Sequence, residues 1–238
     1  TLYAVGQYKG TKRPLFIAVN LNDGTLLWQK EVAASDSTAF TEIDSDGSNL
    51  YVSSKSALGI SGTVHQFNLD GSVVEAWNGS DRQKLSRTNT QDQTSVIVGN
   101  QIISAGKTSL DEFYDGSSWR LVSRNLQTGA INWRQQWGSS GDKSISSITE
   151  FNGKIYAVAI ERKGKGWEGN VQEISTQGEL GRQIYFAAST NATQDPQLVA
   201  NGDKLFLVNA ASQEGDAEAG IIQIVTGQET SGAISAQQ

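Results

Sequence analysis

The chain contains no cysteine and no methionine, and it has only 2 prolines among 238 residues. Without cysteine it can form neither a disulfide framework nor a thiolate site for a metal ion. Because methionine is missing even at position 1, we expect a processed mature protein or a part of a longer one. The 25 glycines, against 2 prolines, indicate a chain whose tight turns depend on glycine.

Long apolar runs and an excess of positive charge are also missing. No segment approaches the roughly 18 apolar residues of a membrane-spanning helix, so we predict no direct membrane span. The net charge of -6 argues against a nucleic-acid partner, because binding to phosphates needs clustered lysine and arginine. The surface, rich in serine, threonine, asparagine, glutamine and glycine, is typical of exported proteins and predicts an extracellular, cell-surface or periplasmic location.

What the chain does contain is a unit that recurs five times. The first apolar strand of each unit begins at Leu2, Leu50, Ile102, Ile155 and Leu205, with spacings of 48, 52, 53 and 50 residues. This repeat length is typical of a β-propeller blade. We therefore predict one domain over 1–238, part of a larger protein, with units at about 1–49, 50–101, 102–154, 155–204 and 205–238.

Each unit contributes strands that we label A to D from the centre of the propeller outwards. The A strands begin near Phe40, Ser95, Ser147 and Gln197, and each is followed by a turn that combines glycine with asparagine or aspartate. Such turns supply the positive φ of a tight hairpin, so strands A and B are antiparallel. The fold prediction is an all-β, five-bladed β-propeller with antiparallel four-stranded blades. The first blade lacks its inner strand, because the chain begins within strand B.

Two adjacent stretches carry a resemblance to a known family. Residues 131–142 read INWRQQWGSSGD, and residues 146–156 read SSITEFNGKIY. The tryptophan, the Gly-x-x-Gly-Asp loop and the Asn-Gly-x-Ile-Tyr hairpin resemble bacterial β-propeller repeats of the SBBP-type and PQQ-like kind. That resemblance implies a propeller fold. It brings no catalytic residues with it, and since the short chain has no cofactor-site cluster, we expect no cofactor.

The six tryptophans fall into two groups. Trp28, Trp77 and Trp133 recur at one place in the repeat, so we predict that they fill the space between neighbouring sheets. The other three break the pattern, and exposed aromatic residues off the pattern are better candidates for binding; they are Trp119, Trp137 and Trp167.

Long connections between strands B and C and between strands D and A should emerge on one face of the propeller. We predict that this face binds a partner, since loops on a rigid scaffold usually carry the binding residues. The predicted B-to-C loops are 8–13, 107–114, 162–168 and 213–218. Phe113, Tyr114 and Trp167 are the candidate aromatic anchors, and Arg162, Lys163 and Lys165 are the candidate charged fringe for a protein or glycan partner. Neighbouring domains or subunits of a larger assembly are further possible contacts.

Few residues of the sequence support a catalytic function. The single histidine, His65, lies within a strand, and we assign no catalytic residue. The Asp44–Asn49 segment offers weak calcium ligands in Asp44, Asp46 and Asn49, but a hydrogen-bonded hairpin turn is the favoured role.

Two functions remain open. One is a non-enzymatic interaction or scaffold propeller. The alternative is a five-bladed carbohydrate-active enzyme, a hydrolase or lyase, with carboxylates at the central channel; Glu42 and Glu150 occupy similar places in their A strands.

Overall fold

The structure is a computed structural model that describes residues 1–7, 13–31, 39–55, 62–74, 90–108, 119–138, 143–163, 166–188, 196–213 and 216–224. Within these ranges the chain is all-β and contains no helix. In the same ranges, no helix is long and apolar enough to cross a membrane. The described strands form five antiparallel sheets, which we number in chain order.

The strands of each sheet follow one another along the chain. Sheet 1 contains β1 (Leu2–Gln7), β2 (Pro14–Val19) and β3 (Leu26–Glu31). Sheet 2 contains β4 (Ala39–Ser45), β5 (Asn49–Lys55) and β6 (Gly62–Asn68). Sheet 3 contains β7 (Thr90–Val98), β8 (Gln101–Thr108), β9 (Trp119–Asn125) and β10 (Ile131–Trp137). Sheet 4 contains β11 (Lys143–Phe151), β12 (Lys154–Lys163), β13 (Gly166–Ser175) and β14 (Leu180–Ala188). Sheet 5 contains β15 (Gln197–Asn201), β16 (Lys204–Gln213) and β17 (Asp216–Ile224).

The predicted A strands and their glycine turns are confirmed. Gly47, Gly99 and Gly202 adopt φ values of 87°, 58° and 60° in the turns that follow β4, β7 and β15. Sheet 1, as described, has three strands and no counterpart of β4, which agrees with the predicted missing inner strand. The predicted outer strands of sheets 2 and 5 extend into 75–89 and 225–238, outside the described residues.

Consecutive sheets pack face to face through their first strands. β4 contacts both β1 and β7, and β11 contacts both β7 and β15. The predicted core positions Leu50, Ile102, Ile155 and Leu205 are each 0% exposed and face the preceding sheet. Leu2 is an exception at 51% exposure, so the prediction was wrong for this residue. Sheet 1 comes first among the described sheets, so no preceding described sheet covers the Leu2 side chain.

A β-bulge recurs near the same place in β4, β7 and β11. In two of these strands the residue after the bulge reaches the next sheet. The Glu42 Oε2 atom accepts a hydrogen bond from the Ser95 backbone N–H at 2.6 Å. The Ser147 Oγ atom accepts one from the Leu198 N–H at 3.0 Å. Ser95 and Leu198 occupy equivalent places in β7 and β15, so this link between neighbouring sheets belongs to the repeat.

Two of the predicted long loops are strands instead. Arg162 pairs with Trp167 and Lys163 pairs with Gly166, so β12 and β13 continue to a two-residue connection. Gln213 pairs with Asp216 in the same way at the end of β16 and β17. The charged residues suggested solvated loops, but antiparallel pairing satisfies the backbone N–H and C=O groups of these residues whatever their side chains are.

The repeated tryptophans pack between sheets as predicted, at the two positions that are described. Trp28 of sheet 1 lies against Gly71 in a turn of sheet 2, and Trp133 of sheet 3 lies against Gly178 in a turn of sheet 4. The Trp133 Nε1–H also donates to the carbonyl oxygen of Thr176 at 3.0 Å. Trp77 lies outside the described residues.

We expect Gly178→Ala to destabilise the protein by about 1–3 kcal/mol more than Gly24→Ala does. Both glycines have positive φ, 90° and 72°, so both variants carry the strain of an L-residue there. A Cβ atom at Gly178 would lie 2.8 Å from the Trp133 ring, whereas one at Gly24 would meet nothing within 4 Å. Chemical denaturation of the two variants measures the difference. Equal losses of stability would show that the contact of Trp133 with this turn contributes nothing.

Candidate functional site

The sequence-predicted rim residues are only partly within the described chain. Phe113, Tyr114 and Lys165 lie outside it. Arg162 and Lys163 are in β12, and Trp167 is directly opposite Arg162 in β13, although the side chains of all three lie outside the described part. The backbone register therefore brings Arg162 and Trp167 side by side at the end of the β12–β13 hairpin.

A groove of about 340 Å³ lies next to this hairpin, between sheets 3 and 4. Its walls come from the beginning of β9, the end of β10 and the faces of β12, β13 and β14. The groove therefore reaches the end of the sheets from which the predicted long connections leave. Its lining residues are Trp119, Trp137, Gly138, Glu161, Glu168, Gly169, Asn170, Gln172, Leu180, Gln183 and Tyr185.

Two tryptophans of sheet 3 form one wall of the groove. Trp119 and Trp137 are cross-strand partners whose ring centroids are 5.9 Å apart. The Trp119 Nε1–H donates to the carbonyl oxygen of Ile160 at 3.2 Å, which ties β9 to β12. Only 4% of Trp119 and 8% of Trp137 is exposed. Sequence reasoning was right to separate these tryptophans from the repeated ones, but wrong to expect them to be exposed.

Trp137 has an unusual feature within this wall. Its indole Nε1–H is buried and has no hydrogen-bond acceptor among the described residues. Leaving a buried donor unpaired costs about 1–3 kcal/mol, so folded proteins rarely do so without a reason. This donor belongs to a side chain that lines the groove.

Sheet 4 supplies hydrogen-bonding side chains on the other wall. The Tyr185 hydroxyl donates to Gln183 Oε1, and Gln183 Nε2 donates to Asn170 Oδ1 at 3.1 Å. The buried Gln172 amide is anchored by donating to the Gly181 carbonyl oxygen at 3.0 Å. Tyr185 itself is 66% exposed, so its ring is open to solvent. An open aromatic ring and an ordered row of amides therefore share one surface.

Two carboxylates also line the groove. Glu161 and Glu168 are cross-strand partners in β12 and β13, and each already interacts with another group of the chain.

A second cluster of polar groups lies at the interface of sheets 2 and 3. Glu42 and Asp44 alternate along β4 and project from the same face, towards β7. Burial raises the pKa of Glu42, an effect that the hydrogen bonds from Thr94 and Ser95 only partly oppose. Burial, together with the nearby Glu42 carboxylate, raises the pKa of Asp44 to about 7. The Asp44 Oδ2 atom is buried without a hydrogen-bond donor among the described residues.

The calcium candidates form a hydrogen-bonded turn. Asp46 Oδ1 accepts from the backbone N–H groups of Ser48 at 2.8 Å and Asn49 at 2.7 Å, and Asp46 Oδ2 accepts from the Tyr51 hydroxyl at 3.0 Å. Both carboxylate oxygens thus stabilise the β4–β5 hairpin, which is the role the sequence favoured for this segment. The described residues contain no group of three or more histidine, cysteine, aspartate or glutamate side chains that could hold a metal ion.

The other residues considered for catalysis pack or form hydrogen bonds within the fold. His65 lies in β6, with its ring 6.0 Å from Phe40 and 6.2 Å from Phe67. Glu150 Oε1 accepts the Gly153 N–H at 2.7 Å within the β11–β12 turn. Its place in β11 corresponds to Ser45 of β4 and not to Glu42, so the predicted equivalence of Glu42 and Glu150 was wrong. Glu42 lies eight residues before Leu50, whereas Glu150 lies five residues before the equivalent Ile155, so their spacing already separates the two places.

A scan against protein-family models matches no family, and a search of curated proteins gives no significant match. The resemblance to propeller repeats therefore stays a prediction from the sequence motifs. Function has to be inferred from the groove and its surroundings.

Proposed function

We propose that this chain is a non-enzymatic glycan-binding module built as a five-bladed β-propeller, working outside the cell, at its surface or in the periplasm. In this proposal the five sheets are its blades, with the first strand of each blade innermost. The module binds its partner at the end where the long connections meet. The sequence-predicted anchors Phe113, Tyr114 and Trp167 and the basic residues Arg162, Lys163 and Lys165 belong to that end.

One observation carries this proposal. The groove between sheets 3 and 4 combines aromatic rings with amide and hydroxyl groups. Small-molecule sites typically join apolar walls to a few convergent polar groups in this way. Glycans present both kinds of surface, because a sugar ring has C–H faces that pack on aromatic rings and hydroxyl groups that hydrogen-bond to amides. A protein partner would be expected to use a broader and flatter surface.

For the alternative, a carbohydrate-active enzyme, the described residues offer Glu42 and Asp44 as candidate acids on an inner strand. These are adjacent carboxyl groups with raised pKa values on an inner strand. However, Glu42 makes the same link to the next sheet that Ser147 makes between sheets 4 and 5. A serine can take over that role, so we interpret Glu42 as a structural residue and keep the non-enzymatic proposal.

The proposal predicts that the chain binds soluble neutral polysaccharides and leaves them intact. Affinity electrophoresis against a panel of such polysaccharides measures binding, and assay of reducing ends measures cleavage. Tyr185→Ala should weaken binding by roughly tenfold, because it removes the exposed ring of the groove.

Leu21→Ala is the matched control. Leu21 is 67% exposed, as Tyr185 is 66% exposed, but it lies at the opposite, short-turn end of sheet 1. It should leave binding unchanged. The proposal fails if no polysaccharide is retained, or if both variants lose binding equally. Cleavage that Glu42→Gln abolishes would favour the enzyme instead.

A further inference from the structure

We infer that the groove recognises one pyranose ring through two fixed amide groups. The Asn170 Nδ2 atom donates a hydrogen bond to the sugar, and the Gln172 Oε1 atom accepts one from it. This inference rests on the proposed glycan-binding function and names the two residues that determine its specificity. Three observations support it: the two atoms are accessible, their amides are held in one orientation, and they lie on one face of β13.

The first observation is that both atoms are accessible and have no partner in the described chain. Asn170 Oδ1 accepts from Gln183 Nε2, but no described group accepts from Asn170 Nδ2. Gln172 Nε2 donates to carbonyl oxygens, but no described group donates to Gln172 Oε1. Neither atom is one of the buried, unpartnered atoms of the described residues. Since both residues line the groove and are otherwise buried, the accessible surface of these atoms lies in the groove.

The second observation is that hydrogen bonds within the chain hold both amides in one orientation. Gln172 Nε2 donates to the Gly181 carbonyl oxygen at 3.0 Å, so Oε1, at the other side of the amide, is left for a ligand. Asn170 Oδ1 accepts from Gln183, whose own Oε1 accepts from the Tyr185 hydroxyl, so Asn170 presents its N–H groups. A ligand therefore meets a donor and an acceptor that need little further ordering on binding.

The third observation is the placement of the two residues. Asn170 and Gln172 are two residues apart in β13, so their side chains leave the same face about 7 Å apart. Hydroxyl groups on two sides of a pyranose ring can reach both amides at once. The exposed Tyr185 ring lies opposite Asn170 in β14 and offers a flat surface for the C–H face of the sugar. The groove volume of about 340 Å³, near the lower end for small-molecule sites, suits a single ring.

The two amides place different demands on the sugar. An amide oxygen only accepts, so the group at Gln172 has to be a hydroxyl that donates. The Asn170 N–H groups only donate, so they need an oxygen acceptor. A site that pairs a hydroxyl group rejects the analogue without it, because a buried polar group is then left unpaired. Replacing the hydroxyl at Gln172 by fluorine, which cannot donate, should therefore weaken binding at least tenfold.

The test follows the Asn170 amide directly. In a ¹H–¹⁵N spectrum of the full chain, the Asn170 side-chain N–H₂ pair is the one missing from the Asn170→Asp spectrum. Titration with the methyl pyranosides of glucose, galactose and mannose should shift this pair in a saturable way with at least one of them. The Trp133 indole N–H is the internal control and should stay in place, because it is bound to Thr176 outside the groove.

Affinity for the best of these pyranosides is the second measurement. Asn170→Asp keeps the acceptor for Gln183 but removes the donor, so at pH 8 it should weaken binding at least tenfold. Asn125→Asp is the matched control, since it makes the same change in the β9–β10 turn, outside the groove, and should bind like the parent. The monofluoro analogues of the pyranoside test the same contacts on the unchanged protein, without a risk to folding.

The outcomes separate this inference from the proposed function. If polysaccharides bind while the Asn170 pair stays fixed and Asn170→Asp binds like the parent, the inference fails and the proposed function survives. Equal losses of binding in Asn170→Asp and Asn125→Asp would also overturn it, because the added charge would then explain both. Equal binding of every monofluoro analogue would overturn the role of Gln172. If neither polysaccharides nor pyranosides bind, both proposals fail.

Discussion

Ile155→Ala should reduce the free energy of unfolding by about 2–5 kcal/mol. The Ile155 side chain is 0% exposed and belongs to the apolar cluster between sheets 3 and 4, together with Ile103, Leu121 and Ile148. Truncation removes buried methyl groups and leaves a cavity that sheets anchored on both sides can close only in part. Chemical denaturation measures the loss as a lower midpoint. Because the same cluster includes Trp119 and Trp137, this core also supports the wall of the groove.

Leu2→Ala is the matched control for Ile155→Ala. The two residues occupy the same position of the repeat, but Leu2 is 51% exposed. Its truncation should cost less than about 1 kcal/mol, because little apolar surface is buried there. We conclude that this position stabilises the fold through contact with the preceding sheet, and that its place in the repeat alone is not enough. Similar losses of stability in the two variants would contradict this conclusion.

The sequence predicted the strands and turns because both depend on local residue patterns. Short apolar runs mark strands such as β5 and β16, and the glycines at 47, 99 and 202 adopt the positive φ that their turns require. The Trp119–Trp137 pair could not have been found by counting from the turn. Ile131 pairs with Arg124 next to the turn, and a bulge before Trp133 then shifts the register by one residue.

Other features depend on contacts that residue patterns do not encode. The charged residues around Arg162 and Asp216 led to a prediction of loops. Both positions lie in paired strands, and residue composition does not show where two strands remain paired beyond the core. The groove needs sheet 4 to lie against the Trp137 wall, and this depends on how two sheets separated along the chain pack. The bulge in β4 places Phe40 and Glu42 on opposite faces although they are two residues apart, and a one-residue shift of this kind leaves no clear mark in the sequence.

Asp44→Asn should stabilise the protein by about 2–4 kcal/mol at pH 8 and reduce the pH dependence of its stability. Burial and the neighbouring Glu42 raise the pKa of Asp44 in the folded state to about 7, well above the usual range of an aspartate. Between about pH 4 and pH 7 the folded chain therefore keeps a proton that the unfolded chain releases. Stability falls as the pH rises through that window and stays low above it. Asparagine resembles the protonated acid, so the variant avoids the cost of an ionised carboxylate with a buried, unpaired Oδ2 atom.

Asp46→Asn is the control, and we expect it to change stability in the opposite direction. Asp46 lies two residues after Asp44 in the chain. Although burial acts in the other direction, hydrogen bonds from the Asn49 and Ser48 N–H groups and the Tyr51 hydroxyl lower the pKa of Asp46. Its ionised form therefore stabilises the fold above the unfolded pKa, and this contribution is lost as the pH falls through the lower folded value. Asp46→Asn should thus destabilise the protein at neutral pH, where Asp44→Asn stabilises it. Denaturation midpoints from pH 4 to pH 8 measure both variants. If Asp44→Asn lowered the midpoint at pH 8, the carboxylate would have to be stabilising in its ionised form, and the proposed burial of an uncompensated charge between sheets 2 and 3 would be wrong.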